Sequence, residues 1–465
     1  MSIIPQNETN MQELNDTISR FLKDFKIGKL LRKCNAVKEK GVPVLDVFRY
    51  LLCIVFSDRS MYMQFKTGSV HENFDDNTVY RFKNSVKTNW NRFIRLLSET
   101  VINLFLRNLT SDEREDVFIV DDSLYAKSGY KSTELVSKVF DHVSMKYKKG
   151  FRLLTLGWSD GNSFVPVDFR LLATSKVENM LGVIKNFDKR SIAGKIRKQA
   201  QAKGTDVMVQ LIKAAQATGH SAKYVLFDSW FSSPKCLIDI KENCELNSIA
   251  MVKRSSKINY EYEGEKLNIK QIYNKNKKRR GRSKYLLSVL VNVTVKDEEG
   301  NIHSVPAKIV CVRNRINTKD WLALICTNPE CSEEEIIRIY GKRWDIEVFF
   351  KTCKSRLNLC SECHSLSYDA MTAHVALVFT RYMLISIEKR KSDDDRTICE
   401  IFYYLADELA DITFNESMRI IVTAMIESIK EVFQISEEQL DTFTDNFMNR
   451  LPEYIQKGLG YEQAS

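Results

Sequence analysis

The sequence predicts an α/β fold, a core with a mixed sheet and flanking helices. A β-rich insertion interrupts this core, and helical regions precede and follow it in the sequence. Apolar residues recur at helical spacing up to about residue 110 and again after residue 367. Strand and helix patterns alternate over residues 111–253, and strand patterns follow one another over residues 254–328.

Length and charge restrict the class of protein. The chain has 465 residues, of which 44% are hydrophobic and 28% charged, as in a globular protein. Its formal charge of +10 permits a polyanionic partner without requiring one. The polar N-terminus lacks a signal-peptide pattern, and the apolar runs from Tyr50 and Ala373 are short or interrupted by Arg381. We therefore expect a cytoplasmic protein that does not enter a membrane.

The N-terminal region, residues 1–110, is predicted to be helical and to bind DNA. One helix is indicated by VLDVFRYLLCIVFS, residues 44–57, and a long second helix begins near Asn77, whose side chain is a suitable cap. Basic and aromatic residues alternate near the start of this second helix: Tyr80, Arg81, Lys83, Lys87 and Trp90. Contact with DNA phosphates and a solvated helix face explain this pattern equally well.

Residues 111–253 are predicted to form the first part of the core. The strand VFIVDD ends in two acids, and FRLLTLGWSDG with FVPVDFRLL predicts a hairpin about an Asp-Gly turn. A polar helix over residues 195–218 then precedes the buried strand KYVLFD, which ends at Asp228. Helix SPKCLIDIKEN and strand SIAMVK complete this part.

Residues 254–328 are predicted to form the insertion, with strands and no helix. Its loop NKNKKRRGRSK, residues 274–284, holds seven Lys or Arg in eleven positions. Such a loop is usually just solvated, but nucleic-acid contact is the favoured interpretation here. Residues 329–390 would complete the core, and residues 391–465 would form a helical region suited to dimerisation.

The stretch YGKRWDIEVFFKTCK, residues 340–354, is predicted to form one helix with a functional face. At 100° per residue, one arc about 60° wide holds Tyr340, Arg343, Glu347 and Lys354. Lys351 and Trp344 border that arc, whereas an apolar back is formed by Ile346, Phe349 and Cys353. The helix thus presents a carboxylate beside cations and a phenol.

Three carboxylates are candidates for one metal site: Asp121 and Asp228 at strand ends, and Glu347 on the late helix. In open α/β sheets, sites form beyond the carboxyl ends of the strands. Oxygen ligands without a histidine cluster suit Mg²⁺, and two such ions can promote phosphodiester displacement. By contrast, the CSECH stretch, residues 360–364, is interpreted as incidental thiols and not as a haem or zinc site.

These residues carry a resemblance to a known family. The spacing Y-x₂-R-x₃-E-x₆-K from Tyr340 to Lys354 resembles the signature of DDE transposases, specifically the insertion-sequence-four family. The stretches FIVDDS and VLFDSWF are similar to that family's two aspartate regions. Asp121 and Asp122 both fit the first region; the hydroxyl residue Ser123 favours Asp121. The resemblance spans roughly residues 115–390.

The resemblance implies an RNase H-like catalytic core and cut-and-paste DNA transposition. Asp121, Asp228 and Glu347 would be catalytic ligands of two Mg²⁺ ions, which Mn²⁺ can replace. Residues expected to contact DNA are Tyr340, Arg343, Lys354, Lys351 and Trp321, the last by stacking on a flipped base unless it is a buried strand aromatic. The partners would be double-stranded DNA, both terminal inverted repeats and target DNA, and a second copy of the chain. The protein would then be associated with the nucleoid.

Two further expectations concern residues near the site. Trp230 and Phe231, which follow Asp228, are expected to pack under it, and Trp344 to support the packing of the late helix. Lys127 is either a DNA contact or a plain loop lysine.

Overall fold

The computed structural model describes most of the chain and divides it into two compact units. The described residues are 17–57, 60–67, 74–110, 115–129, 131–141, 144–280, 283–314, 317, 320–391, 398–433, 436–452 and 455–456. One unit comprises Phe25–Leu52 and His71–Asp394; the other comprises Met1–Asp24, Cys53–Val70 and Asp395–Ser465. These compact units do not test the predicted division into N-terminal, core, insertion and C-terminal regions, which stays a prediction.

The helices and strands follow the alternation expected of a mixed α/β protein. The helices are α1 (Thr17–Asp24), α2 (Ile27–Lys33), α3 (Val44–Cys53), α4 (Met61–Lys66), α5 (Asp76–Lys83), α6 (Trp90–Val101), α7 (Ile192–Ala200), α8 (Gly204–Gln216), α9 (Pro234–Cys244), α10 (Ile269–Lys275), α11 (Glu333–Gly341), α12 (Trp344–Ser355), α13 (Tyr368–Lys391), α14 (Ile398–Phe433) and α15 (Glu437–Asn449). The strands are β1 (Val117–Ala126), β2 (Ser137–Asp141), β3 (Lys146–Ser159), β4 (Phe164–Leu172), β5 (Tyr224–Phe227), β6 (Asn247–Met251), β7 (Asn259–Tyr262), β8 (Glu265–Asn268), β9 (Leu287–Lys296), β10 (Ile302–Arg313) and β11 (Trp321–Cys326).

One sheet of 11 strands organises the larger unit. Its order is β2-β3-β1-β5-β6-β11-β10-β9-β7-β8, with β4 also paired to β3. The predicted hairpin is confirmed: β3 and β4 are antiparallel and joined through Asp160 and Gly161. β1 is antiparallel to β3 but parallel to β5, which is parallel to β6. The carboxyl ends of β1, β5 and β6 therefore point the same way.

The predicted insertion continues the same sheet. β11 pairs antiparallel with β6, and β10 and β9 follow outward as an antiparallel pair. The expectation of strands without helices is wrong, because α10 follows β8. Asn268 caps this helix in a capping box with Gln271, a local signal that competes with the surrounding strand pattern.

Two predicted long helices are interrupted. The helix expected from Asn77 onward is two helices, capped by Asp75 and Asn89. The helix expected over residues 195–218 is α7 and α8, with a break at residues 201–203. In both cases a capping side chain or a short turn overrides a continuous apolar pattern, because the end of a helix needs its backbone groups satisfied.

Burial changes the interpretation of the alternating basic and aromatic residues in α5 and α6. Trp90 is buried against Phe48 and Phe93 in the core, and Lys83 is also buried. Tyr80, Arg81 and Lys87 are exposed. The prediction that Trp90 belongs to a DNA-binding face is therefore wrong. Only the exposed residues stay candidates for phosphate contact.

α13 is the central helix of the larger unit. By length and composition it is the one helix among the described residues that is able to cross a membrane, and 94% of its most apolar window is buried in the protein. A buried core helix passes the same test, so this is weak evidence for a span. Its Arg381 is fully buried, donates hydrogen bonds to the Leu51 and Leu52 carbonyls, and pairs with Glu362.

The second unit is helical in its described residues. Phe56 packs against Phe402 of the 36-residue helix α14, at 5.3 Å between ring centroids. Ser436 caps α15 in a capping box with Gln439. The predicted helical character of residues 391–465 is confirmed for the part that the structure describes.

Candidate active site

Asp121 lies in β1, and Asp228 directly follows the parallel strand β5. The last paired residues of β1 and β5 are Ile119 and Leu226, and each aspartate is two residues further on. Side chains alternate along a strand, so Asp121 has the same facing as Ile119. The expectation that Asp121 ends its strand is wrong, since β1 continues to Ala126 by pairing with β3.

The signature residues lie on two helices and not on one. Tyr340 is in the last turn of α11, Arg343 is at the junction, and Glu347 is in the first turn of α12. The prediction of a single helix over residues 340–354 is therefore wrong. Gly341, a weak helix former, precedes the junction.

Sequence analysis missed two residues that fix this junction on the sheet. Lys342 Nζ donates to the Glu115 carbonyl at 2.5 Å and to the Asp160 carbonyl at 3.3 Å. Asp345 accepts a hydrogen bond of 2.6 Å from the Ser159 hydroxyl. The helical wheel places neither residue on the functional arc, so periodicity contains no signal for them.

Arg343 brings two of the three acids together. Its guanidinium donates to Asp121 Oδ2 at 3.1 Å and is also ion-paired with Glu347 Oε1. The exposed fractions of the three side chains are 16% for Arg343, 18% for Asp121 and 36% for Glu347. Residues that are more than 200 positions apart in the chain thus meet at one partly buried ion-pair cluster.

The electrostatics place Asp228 in the same cluster. Burial, and next the nearby Asp228 carboxylate, raise the pKa of Asp121 to about 7, although Arg343 opposes the shift. Burial also raises the pKa of Tyr340 to about 12. Asp121 is therefore an acid whose charge is unfavourable in the folded protein unless a cation is close.

The other signature residues border these acids. Lys354 Nζ donates to Ser123 Oγ at 2.7 Å, and the Tyr340 hydroxyl donates to the carbonyl of Phe227, the residue before Asp228, at 3.5 Å. Lys351 is exposed on α12. The predicted apolar back of this helix is confirmed, as Ile346, Phe349 and Cys353 are fully buried.

Asp121 and its neighbour have different partners. Asp122 is ion-paired with Arg152 of β3, whereas Asp121 contacts Arg343. Arg152 is a third residue that sequence analysis missed. Its signal was a charged residue inside the strand FRLL, whose neighbours Phe151 and Leu153 are buried.

The tryptophans depart from expectation. Trp230 is 49% exposed and Trp344 62% exposed, so the expectation that they support packing is wrong, whereas Phe231 is buried as expected. Trp321 is partly buried and stacks on Tyr273 at 4.1 Å between ring centroids. Lys127 donates to the Cys363 carbonyl at 2.6 Å, which favours a structural role for it.

The donor set of the cluster fits a hard divalent cation. Its oxygens are carboxylate oxygens, and burial and the neighbouring Asp228 raise the pKa of Asp121. Among the residues that the structure describes, no three His, Cys, Asp or Glu side chains are close enough to hold one ion. Arg343 supplies the positive charge between Asp121 and Glu347 instead.

The CSECH stretch belongs to the packing of the larger unit. Cys363 is buried, and the thiols of Cys360 and Cys363 lie near backbone carbonyls of Leu124 and Ala370. Burial raises the pKa of the Cys360 thiol, which disfavours the thiolate that binds metals.

Acids at the carboxyl ends of parallel strands, flanked by cations, are typical of enzymes that act on phosphate esters. A family model described as DDE superfamily endonuclease matches residues 56–295, more than half of the chain, and the chain belongs to this family. The family consists of nucleases of the transposase type, which act on DNA and generally use divalent metals such as Mg²⁺. No curated protein matches the chain significantly. The matched range includes Asp121 and Asp228 and ends before Glu347.

Proposed function

We propose that this protein is a DNA transposase of an insertion sequence, of the insertion-sequence-four family, with an RNase H-like core. It would cut and join DNA at terminal inverted repeats by Mg²⁺-dependent hydrolysis and strand transfer. Membership of the DDE endonuclease family supports the nuclease class. The antiparallel strands β3, β4 and β1, followed by the parallel strands β5 and β6, support the proposed core.

One observation carries the proposal: Arg343 contacts both Asp121 and Glu347, beside Asp228. Asp121 comes from β1 and Asp228 directly follows β5, whereas Glu347 comes from the helix with the transposase-like spacing. A single isolated acid of this kind has a simpler explanation as an ordinary surface charge. Two acids that share one arginine, with a third acid close enough to raise the pKa of Asp121, are better explained by a shared task.

Each residue has a role in this proposal. Asp121, Asp228 and Glu347 would hold the metal ions, which, when bound, promote in-line attack on a phosphodiester. Arg343 would grip a DNA phosphate through its planar guanidinium, while Lys354 attracts the backbone as a point charge. Tyr340 would hold the same backbone through its hydroxyl. Water and a 3′-hydroxyl would be successive nucleophiles at this site.

Arg343 has two tasks that exclude each other in this proposal. In the structure its guanidinium binds Asp121 and Glu347. In the proposed DNA complex it would bind a phosphate, and Asp121 and Glu347 would be metal ligands.

Replacing Glu347 by glutamine tests the proposal. The amide keeps the size of the side chain but removes its charge, so the E347Q variant is expected to lose cleavage of inverted-repeat DNA by about 100-fold or more while it still binds the DNA. Gel-based nicking and electrophoretic mobility shift assays with Mg²⁺ or Mn²⁺ measure the two effects separately. E334Q makes the same change at an exposed position of α11 and should cut normally. Near-normal cutting by E347Q would refute its role as a ligand.

A second candidate is a DNA-binding protein that has lost catalysis, such as a domesticated copy. The same cluster is compatible with it, since paired acids and arginines also stabilise a fold. The presence of all three acids with Tyr340, Arg343 and Lys354 favours the enzyme. Wild-type protein that binds repeat-ended DNA but never nicks it in Mg²⁺ would favour this second candidate.

A further inference from the structure

We infer that the ribbon formed by β2 and the first residues of β3 binds duplex DNA at a fixed distance from the acidic cluster. This β2–β3 ribbon comprises residues 137–141 and 146–149, and its Lys138 and Lys149 would contact DNA phosphates. The inference rests on the proposed function, because it assumes a DNA substrate. It adds a contact surface to which the sequence analysis assigned no role.

The β2–β3 ribbon extends the sheet beyond the end of β1. The pairing of β1 with β3 ends where Ala126 lies opposite Gly150. Residues 146–149 of β3 continue past this point and pair with β2 in antiparallel register. A two-stranded ribbon of this kind is narrow enough to lie against a groove of a DNA duplex.

The ribbon is held in place at its base and across its strands. The Ser137 hydroxyl accepts a hydrogen bond of 3.1 Å from the backbone N–H of Thr174. The rings of Phe140 and Tyr147 are in contact across the two strands, with 5.2 Å between their centroids. A surface that is already formed binds its partner at a lower entropic cost than a surface that must first become ordered.

The charge and exposure of the ribbon indicate its partner. Its nine residues include four lysines and one acid, Asp141. Lys138 and Lys149 are exposed, and Tyr147 is 62% exposed although it is aromatic. Lysines at the edge of a sheet also prevent unwanted strand pairing, but that task does not explain an exposed tyrosine among them. Lysines and a tyrosine hydroxyl together suit the phosphate backbone of DNA.

The ribbon presents these side chains on the same side of the sheet as the first acid of the cluster. Asp121 lies opposite Thr155 of β3, and every second residue of β3 shares that side. Lys149 and Tyr147 are at such positions, and Lys138 lies opposite Lys149 in β2. One DNA duplex on this side of the sheet can therefore contact both the cluster and the ribbon.

The length of β3 determines which part of the DNA the ribbon would contact. Lys149 is six positions from Thr155, which is about 20 Å at about 3.3 Å per residue. Lys354 lies between the two, because it donates to Ser123 Oγ at 2.7 Å, and Ser123 is two residues beyond Asp121. Along a DNA strand, about 20 Å corresponds to about six nucleotides. The ribbon would thus hold the duplex about six base pairs from the cleaved bond.

Replacing both lysines tests the inference through the salt dependence of binding. The K138Q/K149Q variant and wild type are titrated in EDTA, so that no cutting occurs, with a duplex of about 40 base pairs that contains the terminal inverted repeat and its flanking DNA. Each lost phosphate contact lowers the slope of log affinity against log salt concentration by about 0.9. The slope of the double variant should therefore be smaller by about 2, and at low salt it should bind about tenfold more weakly.

Two controls test the face of the ribbon and its distance from the cut. K146Q/K148Q removes the same charge from the alternate positions of β3, which face the other side of the sheet, and should change the slope by less than about 0.5. Two shorter duplexes end about three base pairs from the cleaved bond, one on each side of it. On one of these, K138Q/K149Q should bind like wild type, since the DNA no longer reaches the ribbon.

The outcomes separate the inference from the proposed function. Equal slopes for K138Q/K149Q and wild type on the long duplex would overturn the inference and leave this face to a partner other than DNA. An equal loss in K146Q/K148Q, or an equal loss on both short duplexes, would also overturn it. Wild-type protein that binds no DNA would overturn both proposals. Should E347Q still cleave DNA while K138Q/K149Q shows the expected loss, the proposed third metal ligand fails and the ribbon stands.

Discussion

A single arginine decides the state of the acidic cluster. Burial, and next the like charge of Asp228, raise the pKa of Asp121, and the nearby Arg343 opposes this shift only in part. Such a cluster costs folding stability, and proteins keep costly arrangements where function needs them. The spacing of Tyr340, Arg343, Glu347 and Lys354 indicated that these residues belong together. The sequence did not predict the pair of Arg343 and Asp121, because these residues lie in distant segments of the chain.

The raised pKa of Asp121 predicts that the D121N variant is more stable than wild type in EDTA at neutral and alkaline pH. The folded-state pKa of about 7 lies above the usual value of 3.8, so the stability contributed by this group is complete below about pH 4 and is lost as the pH rises through 7. The asparagine does not titrate. The difference in unfolding free energy should thus grow from pH 4 to 7, to roughly 1–3 kcal/mol, and then level off.

Urea unfolding of both proteins across that pH range measures this difference. D122N is the matched control. The Asp122 carboxylate is ion-paired with Arg152, so removing its charge should destabilise the fold and not stabilise it. A D121N variant that is less stable than wild type at pH 8 in EDTA would contradict the proposed charge repulsion.

At the scale of helices and strands, local patterns predicted which elements exist better than where they end. β1, β5 and the hairpin of β3 and β4 follow from short apolar runs and an Asp-Gly turn. They place Asp228 correctly at the end of β5, whereas Asp121 lies inside β1. The junction between α11 and α12 was missed. It depends on Lys342 and Asp345, whose partners Glu115 and Ser159 are remote in sequence. Periodicity within one segment contains no information about such anchors.

Arg197 shows how elements that are distant in sequence are held together in the larger unit. Its guanidinium binds Glu134 at 2.6 Å and 3.0 Å and Asp369 at 2.7 Å and 3.2 Å, so it links α7 and α13 to the segment before β2. All three side chains are buried. Removing one partner leaves buried carboxylates without compensation, which typically costs several kcal/mol.

We therefore predict that R197A loses about 3–5 kcal/mol of unfolding free energy, measured as a lower urea midpoint. K198A removes an exposed cation from the neighbouring position of α7 and should change stability by less than about 0.5 kcal/mol. A loss in R197A no larger than that in K198A would mean that the buried network does not stabilise the fold.

At the scale of the whole molecule, the sequence predicted a core with an insertion but not how the two join. β11 pairs with β6, so the segment between Asp228 and Glu347 extends the sheet that positions the site. Strand order depends on which edges pair, and a single sequence does not encode that choice in local patterns. The third acid is accordingly the least local part of the site, and it also lies beyond the range matched by the family model.

The proposed transposase handles two DNA ends, which leads us to predict a dimer in the DNA complex, formed through the C-terminal helices. α14 exposes Ile420 by 61%, Ile421 by 59% and Phe433 by 70%, and apolar side chains of this kind favour contact with a second copy. The I421E/F433E double variant should bind a pair of DNA ends as one protein chain and not two, as measured by analytical ultracentrifugation. Nicking of a single DNA end should persist.

L104E is the matched control for this double variant. It adds a charge at an apolar position of the larger unit that is 62% exposed, and it should leave the number of chains in the complex unchanged. Two chains per complex in the double variant would exclude this face as the contact, because two buried glutamates without partners would cost more than such an interface gains.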